Sequence, residues 1–191
     1  MRYHHRHPLL IVAALLWLWL GLGVGSARAE SHFLIESART ELDDGVYRLH
    51  GRLLFHLTAE VEEALHNGVP ITLLLEIEVD RKRRWAWNDT VATLRQSWRL
   101  SYHPLSGRYL VDNLNTRVRE SFGALSAALR SLEQLEGLPV IDAKLLAADE
   151  RYYIRVRTRL AIEALPPPMR LWTYLSSNWR LESPWYTWVL Q

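Results

Sequence analysis

No cysteine occurs in the 191 residues. Disulfides, thiolate metal sites, cysteine nucleophiles and a lipid anchored through cysteine are therefore excluded, and in an oxidising compartment the fold must hold without covalent staples. Also missing are a Gly-x-Ser-x-Gly elbow, a phosphate-cradling glycine loop, any internal repeat and any low-complexity segment. Acidic side chains are absent from the first 29 positions, so all 21 of them fall in residues 30–191.

The acid-free segment has three parts. A basic stretch, Arg2 to His7, precedes an apolar run, Leu9 to Val24, and the run leads into Ala27-Arg28-Ala29. As a helix the run would span roughly 24 Å, short for a hydrocarbon core of roughly 30 Å. Small residues at 27 and 29 suit signal peptidase, with Glu30 as the first mature residue. The expectation is a signal peptide over 1–29, a single domain over 30–191 and a periplasmic location. Left uncleaved, residues 9–24 would hold the same domain at the inner membrane. Removing Arg2, Arg6 and Arg28 turns the net charge of +2 into −1, which removes the compositional support for a nucleic-acid partner.

Beyond residue 30 the pattern is mostly that of strands. Phe33 to Glu41 and Val46 to Leu57 flank Asp43-Asp44-Gly45 as a hairpin, with Leu49, Gly51, Leu53 and Phe55 on one face. Thr58, Glu60, Glu62, Glu63 and Gly68 cap and charge a short helix over about 59–67. From Ile71 to Asp80 odd positions are apolar, and from Thr90 to Tyr102 even ones are. A two-residue loop at Asn88-Asp89 would place Glu78 opposite Arg99 and Asp80 opposite Ser97. Arg108 to Asp112 continues the meander. Ser121 is read as the cap of a helix carrying Phe122, Leu125, Leu129 and Leu132, closed by Gly137 and Pro139. Two more strands, about 139–146 and 151–162, flank Asp149-Glu150 as their turn. Pro166-Pro167-Pro168 stiffens the chain before an aromatic tail that is mostly core. The predicted fold is mainly β or α+β: seven to nine antiparallel strands in a sandwich-like arrangement with two short helices, after the N-terminal signal helix.

Residues with chemistry are few. His50 and His56 lie about 20 Å apart along a strand, too far to share an ion, and no metal, cofactor or catalytic residue is assigned. Glu76, Glu78 and Asp80 form a row at about 6.6 Å spacing. Facing Arg95 and Arg99, the row reads as a solvated ladder of ion pairs. The rival reading is an envelope hydrolase using Glu76, Glu78 or His103. Arg81-Lys82-Arg83-Arg84-Trp85-Ala86-Trp87 mixes cations with indoles at a hairpin end, a composition suited to anionic headgroups or glycans. Arg81, Arg83, Arg84, Trp85 and Trp87 are accordingly the candidate binding residues. The Arg151 to Arg159 stripe is the second basic feature.

Several segments in order carry a resemblance: Asn67-Gly68-Val69-Pro70-Ile71-Thr72 before an acidic strand, Trp85-Ala86-Trp87, Arg99 to Leu105, Ser121-Phe122, and Trp179-Arg180-Leu181-Glu182-Ser183-Pro184-Trp185. The chain resembles the bacterial family called domain of unknown function 4390. The resemblance implies an exported envelope protein of Gram-negative bacteria. Members often sit beside a membrane sensor histidine kinase of the nitrogen-regulation type, which points to a signalling accessory. The expected role is an interaction module contacting an envelope protein or an anionic glycolipid. The hydrolase and a purely structural envelope protein stand as alternatives.

Overall fold

In the computed structural model the described residues are 33–83 and 89–190. The signal segment, with Ala27, Ala29, Glu30 and the apolar run 9–24, lies outside them. Phe33–Asp43 (β1) and Val46–Phe55 (β2) form the first hairpin, closed by Asp44 at φ 48° and Gly45 at φ 76°. Two left-handed residues in a two-residue loop match the right-handed twist of the strands. Ala59–His66 (α1) follows, with the Thr58 side chain accepting from the Val61 N–H and Glu60 and Glu62 in the first turn. Gly68, at φ 84°, releases the chain into Ile71–Arg81 (β3). Asp89–His103 (β4), Arg108–Asn113 (β5) and Arg119–Phe122 (β6) complete an antiparallel meander.

Three predicted elements come out differently. Ser121 and Phe122 belong to β6, and the helix is shorter, Leu125–Glu133 (α2), with no side-chain cap at Ala124. Gly137 and Pro139 lie inside the next strand, Gln134–Asp142 (β7), which pairs with β2 and not with Tyr152–Leu160 (β8). Pro139 suits this placement because β7 is an edge strand, where a missing N–H costs no ladder bond. Asp149-Glu150 therefore lies on a connection between sheets and not in a hairpin turn. The prolines at 167 and 168 open a third helix, Pro167–Leu175 (α3), where fixed φ and absent N–H groups are tolerated. Tyr186–Val189 (β9) is the last strand.

The result is two antiparallel sheets, β1-β2-β7 and β6-β5-β4-β3-β8-β9. One core cluster draws on both: Phe33, Leu49, Leu53 and Phe55 from the smaller, Ile71, Leu73, Leu75, Ile77, Leu100, Ile154 and Val156 from the larger. Phe33 and Phe55 meet edge to face at 5.1 Å. The Trp188 indole N–H donates to Thr40 at 3.1 Å and ties β9 to β1.

The β3–β4 register is six residues from the expected one: Thr72 faces Arg99, Leu74 faces Ser97 and Glu76 faces Arg95. Both registers pair odd with even positions, so both bury the same apolar faces, and alternation cannot separate them. The connecting segment is correspondingly longer than two residues, running from Lys82 to Asn88 ahead of Asp89.

Candidate functional site

At the β3–β4 end two arginines converge on one carboxylate. Arg81 Nη2 lies 2.6 Å and Arg83 Nη2 2.8 Å from Asp89 Oδ2. The hydrogen bond from Arg81, then that from Arg83, holds the Asp89 carboxyl below its usual range, and the same contact with Asp89 raises Arg81. Lys82 donates its backbone N–H to the Arg151 carbonyl at 2.9 Å and sets its ammonium 5.9 Å from the Tyr153 ring. The hairpin end is thus braced on the start of β8. Arg84, Trp85 and Trp87 lie outside the described residues, so the structure brings together Arg81 and Arg83 of the predicted set.

The second basic feature has a different fate. Arg155, Arg157 and Arg159 project from β8 onto the acidic face of β3. Arg155 reaches Glu78 and, through Nε, Asp80 at 3.1 Å; Arg157 Nε lies 2.6 Å from Glu76; Arg159 lies 3.5 Å from Glu76 and also pairs with Glu163. Thr90 donates to Asp80 at 2.7 Å. Glu76 is only 6 % exposed and Asp80 4 %. The row is ion-paired as expected, but Glu76 and Asp80 are buried and Glu78 is half-buried, and the main partners come from β8. Arg95, on β4, is further from Glu76 at 3.7 Å, and Arg99 faces Thr72 and Asp112 instead.

Burial comes from the C-terminal tail. Ser183 N–H donates to the Thr158 carbonyl at 2.8 Å, and β9 pairs with β8 over Tyr153 to Val156. The intervening Trp185 places its ring 4.8 Å from Arg155 and 4.6 Å from Arg157. Stacked guanidinium groups lose water but keep the favourable ring quadrupole. Burial raises the Glu76 pKa, while the Arg157 hydrogen bond and the Arg159 charge lower it further, so the net shift is downward. Sequence reading missed Trp185 because the strand pattern marks outward positions without marking what covers them.

The histidines sit apart. His50 accepts from the Gly137 N–H at 3.4 Å and lies 3.8 Å from Glu41; His103 contacts the Ser106 hydroxyl at 3.1 Å; His66 pairs with the Tyr109 hydroxyl. Among the described residues no group of three His, Asp or Glu side chains could hold a metal ion. Of the tail aromatics, Trp179 is buried and donates its indole N–H to Glu60 at 2.7 Å, while Tyr186 is exposed.

Residues 30–189 match the family described as Domain of unknown function (DUF4390). No curated protein and no solved structure matches the chain.

Proposed function

This chain belongs to the family of that description, and from that premise we propose that it is an exported envelope module that engages an anionic partner through the basic-aromatic end of the β3–β4 hairpin. The observation that carries the reading is the contrast between its two arginine runs. On β8 three arginines are met by Glu76, Glu78, Asp80 and Glu163. At the hairpin end Asp89 is the one carboxylate that Arg81 and Arg83 pair with among the described residues, and the sequence adds Arg84, Trp85 and Trp87 beside them. Two guanidinium groups on one carboxylate leave an excess of positive charge and N–H donors. Arg beside Trp suits an acidic protein surface or the phosphorylated head of a glycolipid. Export rests on the basic, apolar and small-residue succession of residues 1–29, and it puts the module in the periplasm of a Gram-negative cell.

The triple variant Arg81→Ser, Arg83→Ser, Arg84→Ser tests the reading in intact cells by cross-linking. Loss of envelope adducts with an unchanged circular dichroism spectrum is the expected outcome. Adducts that persist unaltered would overturn it. Sedimentation with vesicles, with and without an anionic glycolipid, then separates a lipid head from a protein partner.

A further inference from the structure

A cleft of about 310 Å³ opens where β4, β5, the end of α2 and β7 meet. This volume is near the lower end of the range for small-molecule sites, roughly 300 to 1,000 Å³. The cleft arises from a bulge: Leu49 faces Leu138 and Gly51 faces Leu135, so β7 carries an extra residue there, and Gly137 adopts φ 65°. Its floor is apolar, from Trp98, Leu132 and Leu135, with Leu138 and Pro139 as a wall. The polar groups on it are almost all neutral.

Their orientations are determined. Asn113 Oδ1 accepts the backbone N–H groups of Asn115 and Thr116, both at 3.0 Å, so the oxygen is correctly placed. Gln96 then donates Nε2 to that oxygen at 2.8 Å, which leaves its Oε1 as a free acceptor. Among the described residues neither Gln96 Oε1 nor the Trp98 indole N–H has a hydrogen-bond partner, and neither is sealed from solvent. Both residues are otherwise about nine-tenths buried and line the cleft. One fixed donor and one fixed acceptor therefore stand two residues apart on the same strand face, about 6.6 Å along the backbone.

We propose that this cleft binds an N-acetylhexosamine residue, with Trp98 and Gln96 reading the acetamido group. The carbonyl of that group accepts from the Trp98 indole, its N–H donates to Gln96 Oε1, and its methyl group lies on the leucine floor. Pyranose hydroxyls meet Asn113 Nδ2, Ser131 and Gln134 at the rim. An ionised ligand is disfavoured, because the lining offers no cation and its one charged group is Glu136. The site shares no residue with the hairpin end.

The test is a titration of the purified protein with N-acetylglucosamine, followed through indole N–H resonances, with Trp98→Phe to assign the Trp98 signal. The Trp98 resonance should move at millimolar sugar and stay in place with glucose, glucosamine or an N-acetylated amino-acid amide. Gln96→Leu should weaken binding about three- to tenfold, the span of one neutral hydrogen bond, with the other indole signals unchanged. No movement up to concentrations on the order of 10 mM, or equal movement with the amino-acid amide, would overturn the proposal. The triple arginine variant should bind the sugar like the unaltered protein, so failure here and failure at the hairpin end are separate results.

Discussion

Replacing Glu76 by Gln keeps the shape of the side chain and removes one charge from the middle of the β3–β8 ladder. Arg157 then loses a charged hydrogen bond of 2.6 Å and Arg159 a contact at 3.5 Å. Removing one partner of a buried pair costs about 3–5 kcal/mol. Both arginines keep a second acid, however, Glu163 for Arg159 and Glu182 at 3.9 Å for Arg157. Both are also partly exposed, which places the expected loss near about 3 kcal/mol. For a domain of this size that is a fall in Tm of roughly 6–12 °C. Urea unfolding at pH 7, with the same m value for both proteins, measures it.

The effect has a pH signature whose sign follows from the downward pKa shift. A depressed carboxyl stabilises the fold fully above its ordinary value of 4.5 and less as pH falls through the folded value. The gap between Glu76→Gln and the parent should therefore be widest at neutral pH and narrow below about pH 4.5. A loss under about 1 kcal/mol at pH 7, the range of exposed pairs, would refute the argument that the tail buries this ladder.

Three further substitutions probe how the fold is held. Trp179→Phe removes the indole donor to Glu60, whose carboxyl is lowered first by Asn178 and then by Trp179; about 2 kcal/mol should be lost in chemical denaturation, because the acceptor is charged. Gly51→Ala would set a Cβ 2.7 Å from the Ser37 carbonyl oxygen, a backbone atom beside the β1 bulge, and should cost about 1–3 kcal/mol, whereas Gly123→Ala, with no atom within 4 Å of its Cβ, should be near neutral in the same melt.

Local features were legible from the residues. The Asp44-Gly45 turn, the Thr58 cap and the Gly68 stop are each a short-range consequence of side-chain chemistry or backbone freedom, and each stands where the chain predicts it. Alternation likewise identified the inward sets of β2, β3, β4 and β8. Elements with mixed signals were harder. The helical spacing of Leu125, Leu129 and Leu132 predicts a helix that Gly137 closes, yet the chain passes from α2 to β7 with no loop between Glu133 and Gln134.

What the amino-acid order determined by itself is the face of each strand, because a period of two is a property of the backbone alone. Partner and register were decided by the tertiary structure. A shift by an even number of residues keeps every apolar side chain inward, so whether Arg99 faces Glu78 or Thr72 is invisible to the pattern. The same holds for β7, whose apolar side chains would serve beside β8 as well as beside β2. The consequence falls on the charged groups. The carboxylates of β3 look outward in the sequence, and only the tertiary structure shows Glu76 and Asp80 buried under arginines of β8 that Trp185 covers. Only the bulge at Gly137 places Trp98 and Gln96 beside an open cleft.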